Sequence, residues 1–153
     1  MRARAMSTAA VAASLTLMAG VVATSSDAAT TKELKACWAA PTTNTLPLTV
    51  TVSGPQYGQR TLANRTCKDW DVPSGTYRLT ANASAIRTLF NASPQGRAEL
   101  CGSSKYKNFR VYANVSEFGN TRTVMLSESG GSFTVRVKKD RLTKANFRVQ
   151  CLL

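Results

Sequence analysis

The chain contains no histidine and few carboxylates, and these two shortages narrow the chemistry that it can perform. Its 153 residues include 20 lysines and arginines but only 8 aspartates and glutamates. Without an imidazole there is no histidine general base, no Ser-His-Asp or Cys-His nucleophile system and no histidine-ligated metal. No GxSxG, phosphate-loop or dinucleotide motif is present either. The sequence therefore predicts a protein that is not an enzyme and needs no cofactor.

One pair of carboxylates comes near a catalytic arrangement. Asp69 and Asp71 flank Trp70, and in an extended strand both project from one face about 7 Å apart. A carboxylate pair beside an aromatic residue can serve sugar chemistry. The pair directly precedes the turn residues 73–75, so we interpret it as turn chemistry or a contact with a cation.

The sequence also lacks an apolar run long enough to form a stable membrane span, which needs about 20 residues. Its one candidate, residues 9–22, follows Arg2 and Arg4 and precedes the small, polar residues 24–28. This is the layout of a secretory signal peptide. We predict a signal peptide over residues 1–28 and a secreted protein, with a retained anchor as the alternative.

The four cysteines contain no CxxC pair. They are Cys37, Cys67, Cys101 and Cys151, an even number beyond the predicted cleavage site. Exported proteins with an even number of cysteines usually form disulfides. We therefore expect two disulfides and no metal site. Of three possible connectivities we favour Cys37 with Cys67 and Cys101 with Cys151, since each ties a leading segment to a later strand.

The rest of the chain predicts a single all-β domain. Residues 29–45 are predicted to be a lead-in segment held by one disulfide, with a helical turn at 31–35. Residues 46–153 alternate apolar and polar positions, broken by Gly, Pro and Ser about every ten residues, as in a β sandwich or barrel.

Within that domain the segments are assigned by the same alternation. Residues 59–67 and 86–90 are expected to be strands, residues 133–149 a hairpin turning at Lys139 and Asp140, and no helix is expected to exceed two turns.

The charge is strongly one-sided. The formal net charge is +12, and 18 basic and 7 acidic side chains remain when Arg2, Arg4 and Asp27 are removed with the signal peptide. Such a field attracts polyanions and anionic membranes without selecting among them. Because the protein is predicted to be exported, we expect an anionic envelope polymer, anionic lipid or extracellular DNA as partner, and no intracellular nucleic acid.

Five cations alternate with large apolar residues along their predicted strands. If the apolar residues face the core, these cations face solvent. These are Arg78, Arg110, Arg136, Lys138 and Arg148. Tyr112 has the same parity as Arg110, and an exposed aromatic beside a cation suits a sugar or polymer ligand. We predict these six residues as the ligand-binding set. The alternative is a purely solvating face, which a half-buried antiparallel sheet produces without any ligand.

The segment DVPSGTYRLTA, residues 71–81, resembles the strand-turn signature of prealbumin-like sandwich domains, such as carboxypeptidase regulatory-like and collagen-adhesin B-type modules. The closing segment VRVKKDRLTKANFRV is similar to the last hairpin of those domains. The resemblance implies an antiparallel Greek-key sandwich of about seven to nine strands that presents, spaces or binds without catalysis.

Three functions agree with this sequence. The leading hypothesis is a cationic binding module for an anionic polymer or membrane surface. The second is an inhibitor of extracellular proteases, with the loop at residues 102–107 held in an extended shape. The third is a cationic antimicrobial toxin acting on competitor cells.

Overall fold

The computed structural model describes residues 32–41, 46–55 and 58–153, so the predicted signal peptide lies outside the described residues. Nine strands and two helices follow in the order β1 (Lys32–Ala39), β2 (Leu48–Ser53), β3 (Gly58–Leu62), β4 (Thr66–Asp71), β5 (Gly75–Asn82), α1 (Ser84–Ala92), α2 (Pro94–Cys101), β6 (Asn108–Glu117), β7 (Asn120–Met125), β8 (Gly130–Val137) and β9 (Thr143–Leu152).

The strands form two sheets. Sheet A has the order β4-β1-β9-β6-β7, and sheet B has the order β3-β2-β5-β8. Strands β1 and β9 pair in parallel, and the other neighbouring strands pair antiparallel. The structure confirms the predicted all-β fold and adds a parallel pair in the middle of sheet A.

Alternating apolar residues supply the core between the sheets. In β2, Val50 and Val52 are buried while their neighbours turn outward, and β5, β6, β8 and β9 repeat this period of two. The rings of Phe133 in sheet B and Phe147 in sheet A lie 5.8 Å apart between centroids. The inward faces of both sheets thus belong to one hydrophobic cluster.

Both disulfides have the predicted connectivity, and both brace sheet A. Cys37 and Cys67 are direct partners across β1 and β4, while Cys101 at the end of α2 joins Cys151 on β9. The second bond ties the helical segment to the central strand of the sheet.

The lead-in prediction needs a correction. Residues 32–39 form β1 and lie between β4 and β9, so the expected helical turn at 31–35 is wrong where it can be compared. Leu34, Ala36 and Trp38 are buried. Their spacing is already that of a strand with one face inward. The sandwich therefore begins at β1 and not at residue 46.

The strand expected at residues 86–90 is also wrong, because this segment lies in the nine-residue helix α1. Ile86 and Phe90 are four residues apart, which places them on the same face of a helix, and both are buried. The Phe90 ring lies 4.9 Å from that of Phe109 on β6. The helix therefore packs against the start of β6, an interior strand of sheet A.

The strand expected at residues 59–67 is divided between two sheets. Strand β3 ends at Leu62 in sheet B, and β4 begins at Thr66 in sheet A. Arg65, in the turn between them, has a left-handed backbone with φ of 59°. A turn of three residues is therefore enough to carry the chain from one sheet to the other.

The turn expected at Lys139 and Asp140 is present, but the strands on either side of it do not pair as a hairpin. Strand β8 belongs to sheet B and β9 to sheet A, and a single bridge between Lys138 and Arg141 links their ends. The side chain of Thr143 is fully buried where the chain crosses, and its hydroxyl donates to the carbonyl of Arg136 at 2.7 Å. Strand periodicity is the same in a hairpin and in a crossing, so the sequence pattern does not separate them.

Side chains from sheet A cover the outer edge of β8. The Arg136 N–H donates to the Glu117 carboxylate at 2.8 Å, and the Arg122 guanidinium donates to the Thr134 carbonyl. Glu117 and Arg122 also form an ion pair at 3.7 Å. These two residues, the edge clasp, satisfy backbone groups that an unpaired edge strand would otherwise leave free.

Candidate anion-binding site

Three of the six predicted ligand-binding residues lie together on the outer face of sheet A. Arg148 on β9 is the direct cross-strand partner of Tyr112 on β6, and Arg110 lies opposite Gln150. Both arginines are exposed and Tyr112 is half-buried. Arg110 and Arg148 are diagonal neighbours, which places them about 7–8 Å apart at the backbone. They are well spaced to contact successive groups of one ligand.

The other three residues lie elsewhere. Arg78 on β5 and Arg136 on β8 are diagonal neighbours on the outer face of sheet B, on the far side of the sandwich. Lys138 follows β8, and its Nζ lies 4.5 Å from the centre of the Phe118 ring in the β6–β7 turn. The crossing between β8 and β9 is what separates these cations from Arg148.

Two further cations join the sheet A face. Lys144 lies on β9 with the same parity as Arg148, and Arg65 lies in the β3–β4 turn. Arg65, Lys144 and Arg148 line a depression of about 200 Å³. The Cys37–Cys67 disulfide, Ala39 and Asn146 also line it, and no carboxylate does.

Local structure holds Arg65 at the rim of this depression. The Ala40 N–H donates to Asn64 Oδ1 at 2.7 Å, which ties the turn to the end of β1. The N–H and the hydroxyl of Thr66 both donate to the Ala63 carbonyl, at 3.2 and 2.6 Å. A left-handed backbone costs an arginine about 1 kcal/mol or more, so the turn keeps this side chain against its local preference.

Few acids lie on the outer face of sheet A: Asp69 pairs with Lys35, and Glu128 lines a depression together with Arg110. In the described ranges, salt bridges join Lys35 to Asp69 (3.4 Å), Arg87 to Glu128 (3.7 Å) and Arg122 to Glu117 (3.7 Å). None of these pairs involves Arg65, Arg110, Lys144 or Arg148. The four cations thus lie outside these ion pairs, and together they give this face an excess of positive charge.

The carboxylate pair and the candidate inhibitory loop behave as structural elements. Asp69 pairs with Lys35 on the adjacent strand, which confirms its interpretation as a cation contact. The loop at residues 102–107 is not extended, because it turns at Ser104 and Lys105, and Arg97 Nε donates to the Ser104 carbonyl at 3.4 Å. The Lys107 N–H donates to a carbonyl on β9 at 3.0 Å. A loop folded back in this way does not favour protease inhibition.

Two kinds of feature are absent from the residues that the structure describes. In residues 32–41, 46–55 and 58–153, no helix is long and apolar enough to cross a membrane. The same ranges hold no group of three or more His, Cys, Asp or Glu side chains placed to hold a metal ion.

Comparisons with known proteins leave the family open. No protein-family model matches the chain, and no curated protein matches it. Among solved structures, the fold is similar to a bacterial adhesin from Mobiluncus mulieris that contains intramolecular disulfide, isopeptide and ester bond cross-links. The TM-score is 0.44 and the sequence identity 14%, and the match covers 78% of this chain but 41% of the adhesin. The resemblance to prealbumin-like domains stays a prediction.

Proposed function

We propose that this protein is a secreted, non-enzymatic module that binds an anionic polymer of the cell envelope through the outer face of sheet A. The observation that carries the proposal is the grouping of Arg65, Arg110, Lys144 and Arg148 on one face, outside the described salt bridges. Secretion rests on the predicted signal peptide, and the two disulfides agree with an oxidising compartment.

The cations follow a line that suits an extended chain. Lys144 and Arg148 are four residues apart on β9, which corresponds to about 13 Å along a strand. Arg110 continues the line on β6, at the diagonal position about 7–8 Å from Arg148. Asn146 and Asn114 face each other across β9 and β6 within this stretch and offer hydrogen bonds. A linear polyanion lying along β9 and β6 would contact charged and polar groups in turn.

A linear polymer suits this face better than a membrane surface. Among the described residues of β6 and β7, Met125 is the one large apolar residue that is highly exposed. It lies on the edge strand β7, opposite Tyr112. Stable binding to a bilayer by a protein surface usually adds inserted apolar area to charge attraction. The face offers charge and hydrogen bonding with little apolar area to insert.

Binding of this kind should weaken steeply with salt. A polyanion releases condensed counterions when lysine and arginine neutralise its charges. Four such contacts on a flexible polymer predict a loss of about 50-fold in affinity between 50 and 200 mM salt. Retention that is unchanged by salt would contradict the proposal.

The decisive experiment compares two double charge reversals on a poly(glycerol phosphate) matrix. Arg110→Glu with Arg148→Glu changes sheet A, and Arg78→Glu with Arg136→Glu makes the same change in net charge on sheet B. Losing two contacts and adding two repulsions predicts a loss of about 100-fold for the sheet A pair and less than about threefold for the sheet B pair.

Equal losses in the two variants would show that net charge governs retention and that the sheet A face is not the site. Anionic lipid vesicles form a second arm of the experiment. Tight binding to vesicles without retention on the polymer would replace the proposed partner with a membrane surface.

A further inference from the structure

The depression near the Cys37–Cys67 disulfide exists because a small residue separates two arginines. Ala39 at the end of β1 is the direct neighbour of Arg148 on β9. Arg65 precedes β4 on the other side of β1, so two strand spacings, about 9.6 Å, separate the two backbones. Ala39 fills little of that gap, and the disulfide lies one row below it. The result is a concave space of about 200 Å³ with a cation on either side.

The groups around this space come from two parts of the fold, the β3–β4 turn and the outer face of β9, and Trp38 and Phe147 also line it. Arg65 comes from a turn, Arg148 and Lys144 come from positions four residues apart on β9, and Asn146 lies between them with its amide. A tetrahedral phosphate directs its oxygens several ways and can therefore meet one cation from the turn and another from β9. A carboxylate has two coplanar oxygens and is matched by a single guanidinium fork.

The backbone of Arg65 is left-handed, as are those of Phe118 and Asp140 in two other turns. Its φ of 59° is a conformation that glycine adopts without penalty and that arginine rarely adopts. Strained residues that the surrounding structure holds in place cluster at functional sites. Here the Asn64 side chain and Thr66 fix the turn, and the residue they hold is the cation at the rim.

We propose that the depression lined by Arg65, Lys144 and Arg148 binds one phosphate group of the polymer between the two guanidinium groups, while Lys144, about 13 Å along β9 from Arg148, contacts the preceding charged group. This inference rests on the proposed function and deepens it, because it makes the ligand a polyol phosphate rather than a carboxylate polymer. Arg110 and Tyr112 then contact the next repeat along the chain, while the depression selects the chemistry of the charged group.

The test uses the whole secreted protein and three probes: inorganic phosphate, poly(glycerol phosphate) and a polyglucuronate of matched charge density. Amide shifts in NMR spectra locate binding, with Thr66 and Asn146 as reporters. We expect inorganic phosphate to shift these amides and the phosphate polymer to bind about tenfold tighter than the polyglucuronate, the order of one charge-assisted hydrogen bond.

The variants are Arg65→Gly and Arg65→Gln, with Arg60→Gln on the exposed edge strand β3 as the matched control. Both changes at Arg65 should remove the preference for phosphate, and Arg60→Gln should retain it. Arg65→Gly also relieves the left-handed backbone, so its melting temperature should be unchanged or higher. A loss of selectivity in a more stable protein cannot come from misfolding.

The outcomes separate the two proposals. Equal affinity for both polymers, lowered alike in both by Arg65→Gln, would overturn the phosphate site and leave the binding function standing. Phosphate shifts at Thr66 and Asn146 without retention of any polymer would keep the site and overturn the polymer function. Absence of both responses would overturn both.

Discussion

The two outer faces of the sandwich arise from the same alternation of residues, yet their chemistry differs. The face of sheet A carries arginine, lysine, asparagine and tyrosine. The face of sheet B is mostly hydroxyl groups, supplied by Thr49, Thr51, Ser53, Thr76, Thr80, Ser132 and Thr134, with Arg78 and Arg136 among them. Sheet B shows that neutral hydroxyls keep a face of this sandwich hydrated. Each face thus carries one diagonal arginine pair, and sheet A differs by adding Lys144 on β9 and Arg65 in the adjacent turn.

The sheets also differ in how they are held. Both disulfides end in sheet A, whereas sheet B has none and its edge strand β8 is satisfied by the edge clasp from sheet A. The two disulfides restrict β4, which follows Arg65, and β9, which carries Arg148, so this part of the face is ordered without the ligand that we propose. A surface that is already ordered loses less entropy on binding.

The largest effect should come from removing that bracing. Replacing Cys101 and Cys151 by alanine opens a loop of 50 residues, which predicts a loss of about 4 kcal/mol in unfolding free energy by the chain-entropy relation. Urea denaturation of the variant and the parent measures it. A loss below about 1 kcal/mol would mean that sheet A does not depend on the bond, since native disulfides in small secreted domains typically contribute 2 kcal/mol or more.

The next largest effect is expected at Gly130, the first residue of β8, and is compared with Gly119 in the turn between β6 and β7. Gly130 has φ of 103°, and a Cβ there would lie 1.9 Å from the Ala81 carbonyl oxygen. Gly119 has φ of 88° and open space around it. We expect Gly130→Ala to cost about 3 kcal/mol or more, since it adds backbone strain to a clash, and Gly119→Ala about 1 kcal/mol.

Thermal unfolding of these two variants gives the comparison directly. Similar losses at both positions would show that the left-handed backbone dominates and that the close approach of Gly130 to β5 contributes little.

The smallest effect concerns the edge clasp. Glu117→Ala removes the acceptor of the Arg136 N–H, which predicts a loss of about 1–2 kcal/mol in unfolding free energy and faster hydrogen exchange at that amide. Glu128→Ala is the control, because it removes only a partly exposed ion pair with Arg87, for which less than about 1 kcal/mol is expected. Unchanged exchange at Arg136 would show that β8 does not need the clasp.

Much of the fold was predictable because alternation is a local property. The alternation at Val50 and Val52 on β2 and along β6 identified strands and their buried faces. The pairing favoured among the three possible disulfide connectivities is the one in the structure. The helix α1 was missed because an apolar pair four residues apart, Ile86 and Phe90, was assigned to a strand. The crossings were missed because sheet membership depends on partners distant in sequence.

The candidate site was predictable in part for the same reason. Lys144 has the parity of Arg148 on one strand, so the signal was present in the sequence and was overlooked. Arg65 lies in a turn, where alternation assigns no face, and its position depends on contacts with residues of another strand. Arg78 and Arg136 alternate with buried apolar residues just as Arg110 does, but their strands belong to sheet B. Alternation alone therefore does not show which cations share a face.

The central position of β9 in sheet A has a consequence for folding. It comes last of the nine strands, yet it lies at the middle of sheet A with β1, the first strand, beside it. The strands of sheet B are all made before it, whereas the cation-bearing sheet has no centre until residue 152 has been synthesised. Contacts this distant in sequence close slowly, because loop entropy is lost before they form. Slow closure therefore makes the outer face of sheet A, on which Arg110 and Arg148 lie, the surface of the sandwich that we expect to form last.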